Sequence, residues 1–160
     1  MKETQVPRSL RKALAKTGIK GPIIARAAPD ALPSETGAYL LLLGFGEKIA
    51  ITRGKARETF PSGWYVYAGS AYGPGGIAAR VGRHFRRDKP CHWHIDTLTD
   101  EAELHALAFP GGLECDLIAQ LGGLGDFTVP APGFGSSDCR TCESHLLAWR
   151  RGLYQPGSMP

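Results

Sequence analysis

The sequence predicts an α+β fold: a small, three-stranded, mainly antiparallel sheet flanked by helices, with additional short strands. Two stretches, "GAYLLLLGF" over 37–45 and "WYVYAGS" over 64–70, are apolar, aromatic or β-branched runs of strand length. Beyond residue 76 the period changes, because Ile77, Val81 and Phe85 recur at every fourth position, the spacing of a helix with one buried stripe. Glycine, at 21 residues, and proline, at 12, are frequent enough to break a chain of 160 into many short elements.

Residues 1–35 read as a basic arm, with Arg8, Arg11, Lys12, Lys16 and Lys20 around Leu10, Ala13 and Leu14. The prolines of "GPIIARAAPDALP" interrupt any helix there, and a loosely packed flank is preferred over a DNA-gripping arm. The domain proper runs over 36–150. Its central strand is Gly37–Phe45; "GEKIAITRG", alternating at Ile49 and Ile51, returns from a hairpin turn at 44–46, and "WYVYAGS" is the third strand of the same sheet. The helix that follows keeps Arg80, Arg83, His84, Arg86 and Arg87 off its apolar stripe, with Arg80 and His84 one turn apart. "CHWHIDTLT" reads as strand or helix, "ELHALAFP" as a strand, and "GLECDLIAQLGG" as a helix ended by its glycines. A loop, "VPAPGFGSSDCRTCES", and a short strand, "HLLAW", complete the domain; residues 151–160 read as a frayed tail.

A composition of 42% hydrophobic and 21% charged residues is that of a globular chain rather than a disordered one, and 160 residues suffice for one domain. No apolar run approaches the roughly 20 residues of a membrane helix, and the first residues lack the apolar block of a secretory signal, so a cytoplasmic address and no membrane partner are expected. The net charge of +4 is a mild excess. Its clustering on the helix after residue 76 is what points to an anionic partner.

"GAY" at 37–39, opening one strand, and "YAG" at 67–69, closing another, resemble the paired tripeptides of the GIY-YIG nuclease family. Arg80, then His84 one turn on, then Glu114 in "LECDLIAQL" continue that pattern over about residues 36–147, in the right order and on the right kinds of element. "YVYAGSA", "HWHID" and "GFGSSDC" further resemble the signatures of a subfamily of uncharacterised function that is sometimes fused to endonuclease III-type glycosylases. The resemblance implies a metal-dependent endonuclease acting on nucleic acid, most often DNA, with a role in repair or processing. It implies that Glu114 anchors one Mg²⁺ or Mn²⁺, a hard cation suited to a carboxylate. Arg80 holds the scissile phosphate through its planar fork, and Tyr39, with Tyr67 beside it, acts on the attacking water. Positive charge from Arg80, His84 and the metal is expected to lower the tyrosine pKa, and His84 is the competing base. Gly69 and Ser70, at the strand end, and Arg83, Arg87, His92 and His94 are the candidate substrate contacts, Gly69 because a residue without Cβ admits a phosphate or a neighbouring backbone.

Two departures stand against the transfer. Ala38 and Ala68 replace the larger middle residues of the tripeptides, at positions expected to face the core. The chain contains no asparagine, whereas many family members carry one after the glutamate helix; Ser137 or Asp138 are the available substitutes. The alternatives are therefore a nucleic-acid-binding module that keeps the fold without efficient cleavage, and a zinc hydrolase built on His92, His94 and Asp96. Were "HWHID" a strand, those three side chains would share one face, but position 97 is Thr where a further ligand histidine is wanted, so a groove-lining role is preferred. Cys139, Cys142 and His145 have the spacing of a structural zinc site without an obvious fourth ligand, Cys91 and Cys115 being available; packed, reduced cysteines are the preferred reading. Of Trp64, Trp93 and Trp149, any can stack a base, with core packing the commoner fate.

Overall fold

The computed structural model describes residues 6–19, 21–91, 93–135, 139 and 141–149. In chain order these form α1 (Arg8–Lys16), β1 (Ile24–Ala25), a 3₁₀ turn (Pro29–Ala31), β2 (Gly37–Phe45), β3 (Ile49–Arg53), β4 (Ala56–Phe60), β5 (Gly63–Ala71), α2 (Gly76–Phe85), α3 (His94–Glu101), β6 (Glu103–Pro110), α4 (Glu114–Gly122), β7 (Phe127–Thr128) and β8 (Leu146–Trp149). The α+β class is as expected, but the antiparallel sheet has six strands rather than three, in the order β1-β6-β2-β5-β8-β7.

Every residue of β2 is buried, because the sheet is covered on both faces. Tyr39, Leu41, Leu43 and Phe45 point to one side, where Ile77, Val81 and Phe85 of α2 and Ile95 and Leu98 of α3 pack on them. The alternate residues, Ala38, Leu40 and Leu42, meet Leu10 and Leu14 of α1 and Leu117 and Leu121 of α4 on the other. Ala38 and Ala68 both lie in this second core, fully buried, as their expected packing role requires.

The expected second strand of the sheet is not in it. β5 pairs with one edge of β2 along its whole length, from Gly37 opposite Ala71 to Phe45 opposite Gly63, and β6 takes the other edge. With both edges of β2 occupied, β3 folds instead on β4, and the two form a separate hairpin. Phe60 of that hairpin packs edge-on against Tyr65 and Phe134, which holds it to the first core.

Nor does the N-terminal segment pack loosely. Leu10, Ala13 and Leu14 of α1 are buried, each leucine contributing about 1.5–3 kcal/mol by leaving water. β1 extends the sheet beyond β6, and Arg26, just after it, donates to the carbonyls of Phe85, Thr99 and Ala102. These are carbonyls at the C-terminal ends of α2 and α3, which lack helical partners and carry negative potential. Burial, with Arg87 nearby, lowers the Arg26 pKa to about 10, which leaves the guanidinium charged at neutral pH. Lys20 and the expected tail at 151–160 lie outside the described residues. Among those described, no helix is long and apolar enough to cross a membrane.

Candidate active site

The pairing of β2 with β5 sets Tyr39 directly opposite Gly69. A Cβ built on Gly69 would collide with the hydroxyl end of the Tyr39 ring, so the absent side chain makes room for the tyrosine, as an aromatic laid across a glycine in a sheet requires. At the next corner Gly76, with φ +60°, starts α2 where a side chain would strike the carbonyls of Ser34 and Glu35. Those residues' neighbourhood also occupies the first donors of the helix: Ile77 N–H donates to Glu35 O at 2.9 Å and Ala78 N–H to Pro33 O at 2.8 Å. The start of α2 is thereby fixed on the sheet, and Arg80 and His84 are carried one turn and two turns into the same depression.

That depression is a cleft of about 220 Å³ lined by Tyr39, Tyr67, Gly69, Ser70, Arg80, His84, Trp93, His94 and Glu114, with Phe134 and Gly135 at its edge. Every residue expected to be catalytic lies on it. Tyr39 and His84 are joined, hydroxyl to Nε2, at 2.8 Å. Burial drives the His84 pKa down to about 3, against the opposing pull of Asp96, so the imidazole is neutral; with Nδ1 facing the Asp96 carboxylate, the tautomer protonated there leaves Nε2 to accept from the tyrosine. Burial also raises the Tyr39 pKa well above 10 and pushes that of Tyr67 up to about 12; Arg80 works in the opposite direction on both and loses. Arg80 alone therefore does not bring about the expected lowering, and a neutral His84 adds no positive charge to it.

Arg80 faces the cleft with its guanidinium over the Trp93 ring, 4.7 Å from the centroid, and makes no ion pair among the described residues. Arg83 stacks on the same ring at 4.5 Å but is committed elsewhere, binding both oxygens of the fully buried Asp96 at 2.8 and 2.9 Å and Pro90 O at 2.9 Å. Asp96 in turn lies 3.9 Å from His84 Nδ1 and accepts from Trp93 N–H at the start of α3. Arg87 donates to Asp100 O, away from the cleft lining. "HWHID" enters a helix rather than a strand, so the alternation that would have put three metal ligands on one face does not apply, and the Asp96 carboxylate is held by Arg83. His94 lines the cleft. His92, Ser137 and Asp138 lie outside the described residues. Trp64 and Trp149 are core residues, whereas Trp93 is 44% exposed at the cleft.

Glu114, the first residue of α4, is reached from the sheet's second side around the end of β5. Burial raises its carboxyl pKa, opposed by His145, whose Nδ1 lies 3.6 Å from Oε2. Beside it, Cys115, Cys139, Cys142 and His145 place their ligand atoms within 4.8 Å of one another, an arrangement able to hold a metal ion. Of the two thiols that the sequence left available as a fourth donor, Cys115 is the one in this group, whereas Cys91 is exposed and apart from it.

Because His84 is neutral in the fold and titrates near 6.5 when unfolded, unfolding takes up a proton between those values and stability falls as pH drops through that window. By pH 5 the loss is about 2 kcal/mol, a figure that depends only on the unfolded value while the folded one lies below 5. Urea unfolding at pH 7.5 and pH 5 is expected to show this loss in the parent and to lack it in His84→Gln. An equal loss in both would place the pH dependence elsewhere.

The family model described as "Domain of unknown function DUF123" matches residues 38–155. No curated protein and no solved structure gives a match.

Proposed function

The chain belongs to that family, and from its cleft we propose a divalent-metal-dependent endonuclease that hydrolyses phosphodiester bonds, in DNA foremost, in the service of repair or processing. The observation that carries the reading is the hydrogen bond from the Tyr39 hydroxyl to a neutral His84 in the same cleft as Arg80 and Glu114.

Phosphodiester hydrolysis needs a water made nucleophilic, a seat for the phosphate, and neutralisation of charge in the transition state. Arg80, pre-oriented by stacking on Trp93 and without a carboxylate partner among the described residues, is the phosphate seat. Tyr39 takes a proton from the attacking water while passing its own to His84 Nε2; the imidazolium so formed is supported by Asp96, 3.9 Å from Nδ1. The relay removes the difficulty of a buried tyrosine, which never has to exist as a lone phenolate. Tyr67 flanks the same water position, and Ser70 and His94 line the approach of the flanking backbone.

Glu114 suits Mg²⁺ or Mn²⁺: a partly buried carboxylate on an open cleft supplies the one protein oxygen such a cation commonly takes, with waters and the substrate phosphate completing the shell. When bound, that cation supplies positive charge to the phosphate oxygens and the departing 3′ oxygen. Backbone-directed contacts of this kind do not read sequence, so selectivity for nucleic-acid structure is expected.

The test is cleavage of labelled single-stranded, duplex and branched DNA with Mg²⁺ or Mn²⁺ by the parent and by folded Glu114→Gln. The parent is expected to cut at least one of these, and the variant to cut about 100-fold more slowly or not at all. Cutting by both at one rate removes Glu114 from the site. Binding without cutting by the parent under both metals establishes instead the nucleic-acid-binding module, with the absent asparagine as its leading cause.

A further inference from the structure

Loop residues 129–145 run from β7 to β8 without a regular element among those described, yet their end is tightly specified. Ser144 Oγ donates to Phe134 O at 3.2 Å and accepts from Leu146 N–H at 3.0 Å, and Cys142 N–H is directed at the Cys139 sulfur at 3.4 Å. A backbone N–H aimed at the first sulfur of a C-x-x-C turn serves a thiolate far better than a thiol, since the hydrogen bond to a charged acceptor is the stronger.

Around that turn the donors converge from two parts of the chain. Cys115, on the first turn of α4, lies 3.4 Å from the Cys139 sulfur and 3.8 Å from His145 Nε2. A zinc ion with sulfur at about 2.3 Å sets its ligand atoms roughly 3.8 Å apart, and all four donors here lie within 4.8 Å of one another. The imidazole is already turned the right way: Nε2 faces the sulfurs, while Nδ1 is buried without a hydrogen-bond partner and faces Glu114 Oε2 at 3.6 Å. A ligating histidine whose other nitrogen donates to a carboxylate is the usual orienting arrangement in zinc sites.

We propose that Cys115, Cys139, Cys142 and His145 bind one structural Zn²⁺ that staples the loop before β8 to the start of α4 and holds Glu114 through His145. Three soft thiolates and an imidazole select zinc over the hard cation assigned to Glu114, and four protein ligands close the site to substrate. On binding, each thiol gives its proton to solvent and forms a sulfur–zinc bond, and neutral His145 contributes the Nε2 lone pair while keeping its proton on Nδ1 for Glu114. Charge and atoms balance with one proton released for each sulfur that is still a thiol. Glu114 is then a positioning group for this zinc, a role that stands whether or not the cleft cuts DNA.

The purified full chain, reduced, stripped with chelator and returned to an equimolar amount of Zn²⁺, is expected to retain about one zinc per chain through gel filtration, measured by elemental analysis. Cys115→Ser and Cys142→Ser should each abolish retention, and Cys91→Ser should leave it intact. Glu114→Gln should keep the site but weaken it about 10- to 100-fold in competition with a chromophoric chelator. Should the ligand variants fail to fold, Co²⁺ in the parent decides: thiolate charge-transfer bands with a tetrahedral visible spectrum support the site, and their absence overturns it. Failure of the parent to retain zinc, a Cys115–Cys139 disulfide in its place, or loss of zinc in Cys91→Ser would each overturn the proposal.

Discussion

Phenylalanine in place of Tyr39 should slow DNA cleavage by about 100-fold or more, the range over which a positioned acid–base group acts, and His84→Gln should do nearly the same. The two side chains share one buried 2.8 Å hydrogen bond, and under the relay neither can move a proton without the other. Their effects therefore should not add: Tyr39→Phe combined with His84→Gln should be no slower than the worse single variant, as for residues that act as a unit. Tyr39→Phe also leaves Nε2 of a buried histidine unpaired, at a cost of about 1–3 kcal/mol. Urea unfolding of each variant separates that loss from the loss of rate. Full activity in His84→Gln would eliminate the relay and leave Tyr39 acting directly; fully multiplicative losses would show two independent roles.

Arg83→Met is expected to cost the fold about 1.5–3 kcal/mol or more, the range for hydrogen bonds to a charged group, here two of them to one buried carboxylate. Asp96 is fully buried, and Arg83 supplies bonds to both of its oxygens. Replacing both, as Arg83→Met with Asp96→Leu, should recover part of the loss, because the carboxylate that Arg83 held is gone, though the bond from Trp93 N–H to Asp96 at the start of α3 goes with it. Chemical denaturation of the parent, both single variants and the double variant closes the cycle. A loss under 1 kcal/mol in Arg83→Met would mean that water reaches Asp96 and that the pair is ornamental to stability.

The candidate site was more legible in the sequence than the sheet that carries it. Tyr39, Tyr67, Arg80, His84 and Glu114 could be named because their order resembles the GIY-YIG nuclease pattern, and the local period of the elements that carry them survives into the fold. Strand partnership is a long-range matter: nothing in "GEKIAITRG" announces that both edges of β2 are taken by strands far along the chain. The roles of Arg83 and Arg87 were unreadable for a similar reason. A basic residue on a helix looks alike whether it faces a phosphate or an aspartate 13 residues on. Asp96 was noticed as a possible ligand, but its true partner could not be chosen while "HWHID" remained ambiguous between helix and strand. Between Cys91 and Cys115 the sequence could not choose a companion for the C-x-x-C pair, because the 24 positions from Cys115 to Cys139 carry no signal of how they close.

Arg26 has a bearing on the order in which this molecule can come together. Its acceptors lie 59, 73 and 76 residues further along the chain. At roughly 5–20 residues per second of synthesis, about four to fifteen seconds separate the appearance of the guanidinium from that of its last acceptor. Until then a charged group destined for partial burial has only water for company, and α2 has no clamp at its end. Closing so long a loop also comes late in refolding, since its entropy must be overcome before any contact rewards it. The ends of α2 and α3 are therefore clamped to the start of the domain only once residue 102 has been made, with Glu114 still to follow.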